Sequence, residues 1–454
     1  MVQSSVSVIV SIKCFKKGVN HVISFADRGL LVPTFHLSTG LSAAVLLLFS
    51  GDILGASGLA SSTLLTPRKS ITDPNVAWKL VFLSTFLLFA NTILGVHFTD
   101  DERLGTDPSI PVVSIYGYLL GGLFVGFGTR LGNGCTTGHG ICGMARLSKR
   151  SFVAVITFML SAFAMAAVTA PDNKALSNAT SFLRTSLEDT PDLYNRWLGF
   201  GVTMAIVLPT IVALVNLFRS DPMKSKSTPS PSVDEVSSTK GEDFIDTSMF
   251  HEGQVVKNEK KDVEQPHDDE VIEKPMPCIV CNKDEQEEAI IQKLDNIHKI
   301  APAIVSGALF ALGLAVSQMV LPSKILGFLN LFTLFQPSSP YDPTLMLVMV
   351  GGLMISFISY QFVDKHRCSF FASENDRSAC RDCPILTSKF SVPTNTSIDV
   401  ELIAGSIFFG IGWAVAGLCP GPAMFLAATG AQPVIYGWWP GFLFGSFVAS
   451  KIKS

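Results

Sequence analysis

Long apolar stretches alternate with short polar segments along most of this chain. Nine of the apolar stretches approach the roughly 20 residues that a helix needs to cross a ~30 Å hydrocarbon core, and few of their residues carry charge. They lie near residues 36–50, 76–98, 112–132, 151–171, 197–218, 299–318, 344–363, 400–417 and 436–451. The pattern predicts an all-α integral membrane protein with about nine transmembrane helices.

Four further apolar pieces are too short, or too rich in glycine, to cross a bilayer. Each follows a long predicted helix and contains small residues or proline where the chain must turn; they cover 54–66, 137–148, 321–333 and 420–430. Irregular backbone at membrane depth is tolerated only where it is buried in protein or lines a cavity. We therefore expect four re-entrant half-helices that point at a common centre, as in transporters with discontinuous helices.

An internal repeat is visible in two glycine-rich motifs. The first, GFGTRLGNGCTTGHGICGM, covers 126–144, and the second, GIGWAVAGLCPGPA, covers 410–423. Gly410, Gly412 and Cys419 repeat the spacing of Gly126, Gly128 and Cys135. The repeat predicts two related halves that supply two half-helices each, with the two cysteines facing each other.

Composition agrees with a membrane protein and sets apart one polar segment. The chain is 48% hydrophobic with a mean hydropathy of +0.40, which excludes an ordinary soluble enzyme. Residues 220–299 contain 10 Lys and Arg against 19 Asp and Glu, a net charge of −9. We expect an N-terminal tail (1–35), a first half (36–218), a disordered acidic linker (219–298) and a second half (299–451) with a polar loop at 364–395. The linker is expected to act as a tether, with phosphorylation of its serines as the alternative.

Cations near the predicted helix ends indicate an orientation. Arg68, Lys149, Arg219 and Lys451 all fall on one side if the N-terminus is outside and the linker and C-terminus are inside. In this arrangement, the Asn178-Ala179-Thr180 sequon would lie outside. The tripeptide is equally consistent with chance.

The two repeat-matched cysteines are the first candidates for a binding site. Each precedes a short helix, and a helix N-terminus presents free amides and a positive dipole end to an anion. Buried membrane cysteine is otherwise a small hydrophobe, and the alternative is that these thiols only pack. The candidate residues that bind or translocate a substrate are Cys135, Cys419, Cys142, Asn133, Thr136, Gly134, Gly138, His139, Arg130 and Gly421.

Three of these candidates have open roles. Arg130 has Ala414 at the matched position, so it either pairs with a helix carboxyl end or adjusts the field for an anion. His139 is either a proton carrier or a donor to a backbone carbonyl. Cys142 lies seven residues after Cys135 on one face of the short helix, and it has weaker support.

Two CxxC pairs lie in polar segments. Cys278 and Cys281 are in the linker, and Cys380 and Cys383 are in the loop. Two such pairs are typical of zinc sites, but these are nearly a hundred residues apart and are separated by two predicted helices. A dithiol that accepts or passes sulfur is the alternative. No cofactor and no metal are expected.

The two motifs, together with LPSKILGFLNLF at 321–332, resemble those of the YeeE/YedE family of sulfur-transport membrane proteins. The resemblance covers roughly 36–218 and 299–451. It implies a permease for a small sulfur-containing anion, thiosulfate above all, embedded in the lipid bilayer. The alternatives are a channel for sulfide or persulfide species and a membrane thiol redox protein. No nucleic acid is expected as a partner, and a cytosolic sulfurtransferase is a speculative one. We expect the plasma membrane, with an organellar membrane as the alternative because the N-terminus carries lysines and lacks acidic residues.

Overall fold

The computed structural model describes residues 37–94, 112–169, 183–185, 192–219, 285–331, 341–365, 384–393 and 395–453. The first half contains α1 (Leu37–Val45, extended by a π-helical turn at Leu46–Ser50), α2 (Ala56–Leu65), α3 (Pro67–Thr72), α4 (Ala77–Leu88, extended by Phe89–Leu94), α5 (Ile115–Leu131), the π-helical α6 (Thr136–Gly143), α7 (Lys149–Thr169) and α8 (Asp192–Arg219). A short antiparallel pair joins β1 (Val112–Val113) to β2 (Arg184–Thr185).

The second half begins with a helix in the predicted linker. It contains α9 (Glu285–His298), α10 (Ile300–Val316), α11 (Pro322–Leu329), α12 (Thr344–Lys365), α13 (Val400–Ala416), α14 (Pro420–Ala428) and α15 (Trp439–Lys453), the last preceded by a π-helical turn at Val434–Trp438. Proline at the first position of α11 and α14 suits a helix start, because the ring fixes φ and the missing N–H would have no partner there.

The helical membrane architecture expected from the apolar pattern is confirmed. Within the described residues, a helix lies over each segment predicted to span, and a short helix lies in each predicted re-entrant piece. Five helical stretches there are long and apolar enough to cross a membrane: Lys149–Thr169, Arg196–Arg219, Ile290–Val316, Thr344–Val363 and Val400–Ala428. The number of helices that cross a bilayer stays a prediction.

The two halves interlock, and equivalent helices pack in equivalent ways. Helix α5 packs on its repeat partner α13, and α1 packs on α10. The contact of α5 with α15 is matched by that of α13 with α7, and the contact of α1 with α12 is matched by that of α10 with α4. The contacts therefore follow an approximate twofold relation between the halves.

Glycine allows α5 and α13 to approach closely. A methyl group at Gly121 would overlap Ala416 and Gly412, while one at Gly405 would overlap Gly132 and Gly128. The repeat register that aligns Gly126 with Gly410 also aligns Gly121 with Gly405, Gly128 with Gly412 and Gly132 with Ala416. The two contacts are therefore counterparts of each other. Close backbone packing through small residues is a main source of helix association in membranes.

One end of the predicted linker is ordered, which corrects the disordered assignment over 219–298. Helix α9 covers the last residues of that segment, with Ile290, Ile291, Leu294 and Ile297 spaced along it at helical intervals. The Asp295 carboxylate accepts the backbone N–H of Ser388 at 3.1 Å. The contacts that hold α9 are polar, since Ile290 and Leu294 stay about half exposed. The average composition of the linker concealed this ordered end.

The end of the polar loop closes the end of α1. Residues 384–391 donate to the carbonyl oxygens at its terminus: Ile385 N–H to Leu48, Leu386 N–H to Phe49 and Ser391 N–H to Gly51. The last carbonyls of a helix have no hydrogen-bond donor within the helix. Residues 384–391 provide the donors that water would otherwise provide. The CxxC pairs, the sequon and residues 220–284 lie outside the described residues.

Candidate functional site

Short helices approach the centre of the protein from both faces. The contacts of α8 show how far apart the C-terminal ends of α2 and α14 lie. Gly199, near the start of α8, packs against the carbonyl of Ala428 at the end of α14. Asn216, near the end of α8, donates to the carbonyl of Ile71 in α3, which directly follows α2. Positions 199 and 216 are about 25 Å apart at 1.5 Å per residue. Helices α2 and α14 therefore leave the centre in opposite directions.

The N-termini of these helices surround one cavity. Its wall includes Ala56 at the start of α2, Thr136 and Thr137 at the start of α6, Pro420 at the start of α14, and Met319 just before α11. Three of the four predicted half-helices therefore have their N-termini in the cavity wall, while α11 is represented only by Met319, three residues before its start. Positive dipole ends converge there from both faces.

The matched cysteines are the N-cap residues of α6 and α14. Cys135 has φ −134° and ψ −170°, and Cys419 has φ −104° and ψ 169°, so both have extended backbone just before the helix. The carbonyl of Cys135 accepts His139 N–H at 2.8 Å, and that of Cys419 accepts Ala423 N–H at 3.1 Å. The repeat thus gives both thiols the same local geometry.

Both thiols are free, buried and part of the cavity wall. The Cys135 sulfur lies 3.0 Å from the Thr137 hydroxyl, whose oxygen accepts Ala56 N–H at 3.1 Å. The Cys419 sulfur lies beside the Thr136 hydroxyl and the Gly421 N–H. A hydroxyl from α6 therefore accompanies each sulfur.

The cavity is small and mostly apolar. Its volume is about 30 Å³, room for two or three water molecules. Four sulfur-containing residues line it, namely Cys135, Cys419, Met319 and Met349, and none of the described residues that line it carries a charge. The remaining lining residues are Thr39, Ala56, Thr136, Thr137, Ile141, Phe310, Leu314, Leu345, Val348, Trp413, Pro420, Gly421 and Pro422.

The structure divides the ten candidate residues into two groups. Cys135, Thr136, Cys419 and Gly421 lie in the cavity wall. The cavity wall does not include Arg130, Asn133, Gly134, Gly138, His139 or Cys142.

The surroundings of these six residues differ. Arg130 and Asn133 are exposed, and Asn133 has a positive φ of 57°, a conformation that asparagine tolerates well. A side chain at Gly134 would overlap the His139 ring, whereas nothing lies within 4 Å of a methyl group placed at Gly138.

His139 and Cys142 are buried and already hydrogen-bonded. The imidazole Nδ1 lies 3.1 Å from the Ser151 hydroxyl, and Nε2 lies 3.2 Å from the Gly132 carbonyl oxygen. Both ring nitrogens therefore hold the loop before α6 against α7. The Cys142 thiol donates to the Leu54 carbonyl at 3.5 Å and fixes α6 to the segment before α2.

Sequence reasoning missed several lining residues. Trp413 stands six positions before Cys419 inside the second motif, so its place in the motif was the available signal. Met349 and Thr39 lie in long apolar stretches, where nothing in the local pattern distinguishes a cavity side chain from a core one. Whether such a residue lines the cavity depends on which face of its helix is turned toward the centre of the protein.

Comparison with known proteins agrees with this architecture. Residues 34–164 match the sulphur transport family, and residues 298–439 match a family of unknown function (DUF6691). The first of these regions contains α1 to α6 and most of α7, and the second contains α10 to α14.

The chain is also similar to curated bacterial proteins. It is 34% identical over 133 residues to a probable transporter of Xylella fastidiosa (strain 9a5c), covering 29% of this chain and 77% of that protein. A second probable transporter, from strain Temecula1, is 38% identical over 127 residues, or 28% of this chain and 84% of that protein. Both relatives are far shorter than this chain. The names point to a transporter rather than an enzyme, and the chain, a multi-pass integral membrane protein, belongs to the sulphur transport family.

Proposed function

We propose that this transporter carries a small sulfur-containing anion, thiosulfate above all, through the central cavity. The observation that carries the proposal is the pair of free thiols, Cys135 and Cys419, placed as N-caps of two helices whose N-termini both line the cavity. Helix N-termini favour an anion, and soft sulfur atoms favour a ligand with a terminal sulfur.

The uncharged wall favours passage over tight retention. A transported solute must bind well enough to enter and weakly enough to leave. Dipole ends and weak thiol contacts meet this requirement, whereas a buried arginine or lysine would hold an oxyanion strongly through charge-assisted hydrogen bonds. Sulfate, which presents only hard oxygens, gains nothing from soft thiols.

The size and apolarity of the cavity also favour a second candidate, a channel for sulfide species. Hydrosulfide is smaller than thiosulfate and needs fewer hydrogen-bond donors. A cavity of about 30 Å³ accepts it with less rearrangement. Thiosulfate requires the wall to widen during transport.

Uptake in a sulfur-starved host separates these candidates. Cells that express the chain should accumulate radiolabelled thiosulfate above empty-vector cells, and unlabelled thiosulfate should compete while sulfate should not. Uptake of sulfide alone would favour the channel. No uptake of either species, with the protein present in the membrane, would refute both candidates.

A further inference from the structure

The indole N–H of Trp413 is a buried donor without an acceptor. The side chain is 0% exposed, and among the described residues no group accepts the Nε1 hydrogen. Leaving such a donor unsatisfied costs about 1–3 kcal/mol. A buried orphan group in a folded protein therefore calls for a specific explanation, such as a ligand.

The position of Trp413 distinguishes it from the other buried polar groups without a partner among the described residues, none of which lines the cavity. Trp413 and Cys419 both line the cavity. Its ring is held in place by Phe158, edge-on with centroids 6.0 Å apart, and by Phe409 with centroids 6.1 Å apart. A donor that is already held rigidly in a cavity wall can hydrogen-bond to a ligand with little loss of side-chain entropy.

We propose that Trp413 donates its indole N–H to an oxygen of the transported anion. The inference rests on the proposed function and narrows its substrate class. The cavity then combines soft sulfur atoms with neutral donors, namely the indole N–H and the Thr136 hydroxyl. This combination fits an oxyanion that also carries a terminal sulfur, and it fits neither sulfate nor sulfide as well.

The chain contains a matched control. Trp438 is also 0% exposed, and its indole N–H likewise has no acceptor among the described residues. Its ring stacks on Phe442 with centroids 5.0 Å apart, and it is not part of the cavity wall. Trp438→Phe therefore removes the same atoms from an equally buried position away from the ligand.

The test measures binding by the purified full-length protein in detergent. Thiosulfate and hydrosulfide are titrated separately into the parent, Trp413→Phe and Trp438→Phe chains. We expect Trp413→Phe to weaken thiosulfate binding about tenfold and to weaken hydrosulfide binding much less, because a soft sulfur anion accepts a weaker hydrogen bond than an anionic oxygen does. Trp438→Phe should bind both ligands like the parent.

Two results would overturn the assignment. One is unchanged thiosulfate affinity in Trp413→Phe; the other is an equal loss for both ligands, which would indicate lost packing. If Trp413→Phe does not reach the membrane, tryptophan emission of the parent decides. Emission that stays constant at thiosulfate concentrations that saturate binding would refute the contact, whereas a saturable change supports it. A parent that binds no thiosulfate by calorimetry refutes the proposed function instead.

Discussion

Ser42 and Ser306 hydrogen-bond to each other reciprocally where α1 crosses its repeat partner α10. The Ser42 hydroxyl donates to the Ser306 carbonyl oxygen at 2.8 Å, and the Ser306 hydroxyl donates to the Ser42 carbonyl oxygen at 2.9 Å. Both residues are completely buried. The glycines of α5 and α13 also make reciprocal contacts, so both helix pairs have a symmetric contact at their crossing.

This serine pair gives the first prediction. Ser42→Ala or Ser306→Ala should each destabilise the protein by about 0.5–1.5 kcal/mol, the range of hydrogen bonds between membrane helices. The double variant should cost less than the sum of the two, because the hydroxyls also lie 2.8 Å apart and act as one unit. Thermal unfolding of the four proteins in detergent measures the coupling. Strict additivity would contradict it.

The glycine contacts between α5 and α13 give the second. Gly128→Ala and Gly405→Ala should each destabilise the fold by about 1–3 kcal/mol, because the added methyl meets backbone atoms of the facing helix, which cannot move aside. Gly201→Ala is the control, since nothing lies within 4 Å of a methyl group there. Folded yield and melting temperature compare the three variants. Equal values for Gly128→Ala and Gly201→Ala would refute the close approach.

The thiol assignment gives the third prediction. Serine keeps much of the size of cysteine but loses its soft sulfur, so Cys135→Ser and Cys419→Ser should each lower thiosulfate uptake at least tenfold, about 1.4 kcal/mol. Cys142→Ser should reduce uptake far less, because that thiol donates to Leu54 outside the cavity wall. Initial uptake rates, normalised to membrane expression, give the comparison. Normal uptake by both of the first two variants would remove the cysteines from the site.

Stability at acid pH gives the fourth. Asp399 is the N-cap of α13, accepts Leu402 N–H at 2.8 Å and pairs with Arg150 at 2.9 Å. Partial burial tends to raise the pKa of Asp399, but the hydrogen bonds from Arg150 and Leu402 outweigh it and hold the pKa below its ordinary value. A lowered pKa stabilises the fold above the ordinary carboxyl range near pH 4, and the benefit disappears as the pH falls through the lowered value.

Asp399→Asn separates this contribution from other acid effects. The variant keeps a cap oxygen but has no titrating group, so its melting temperature should be lower at neutral pH and should approach that of the parent as the pH falls below about 4. Melting curves from pH 7 to 3 measure the difference. A constant gap between the two proteins would contradict the role of the ion pair.

The linker gives the fifth prediction, with a boundary set by α9. Replacing residues 225–284 by about 30 Gly and Ser residues, with a root-mean-square reach of roughly 30 Å, should keep uptake within a few-fold of the parent. Extending the replacement through 298 should lower stability, because it removes the contacts of Asp295 with Ser388 and of Asn296 with Asn75. Loss of uptake in the shorter replacement, with folded protein in the membrane, would place Cys278 and Cys281 in the mechanism.

The sequence by itself determined the elements and the repeat. Apolar runs long enough for a bilayer predict helices because backbone groups in hydrocarbon must bond within the helix. Glycine and proline break those runs at fixed places, so the short helices were also predictable. Cys135 and Cys419 could be singled out because they have the same position in the two repeated motifs. Each also directly precedes a predicted short helix, so its place at the helix N-terminus could be expected from the sequence.

Only the tertiary structure decided which side chains share the cavity. Trp413, Met319 and Met349 lie in apolar surroundings, and hydropathy gives the same value to a residue that faces the core and to one that faces a cavity. His139 and Cys142 looked chemically active in the motif, yet Ser151, Gly132 and Leu54 occupy their polar atoms. These partners are up to 88 residues away along the chain, and their approach depends on how the helices of the first half pack on one another, which no local pattern encodes.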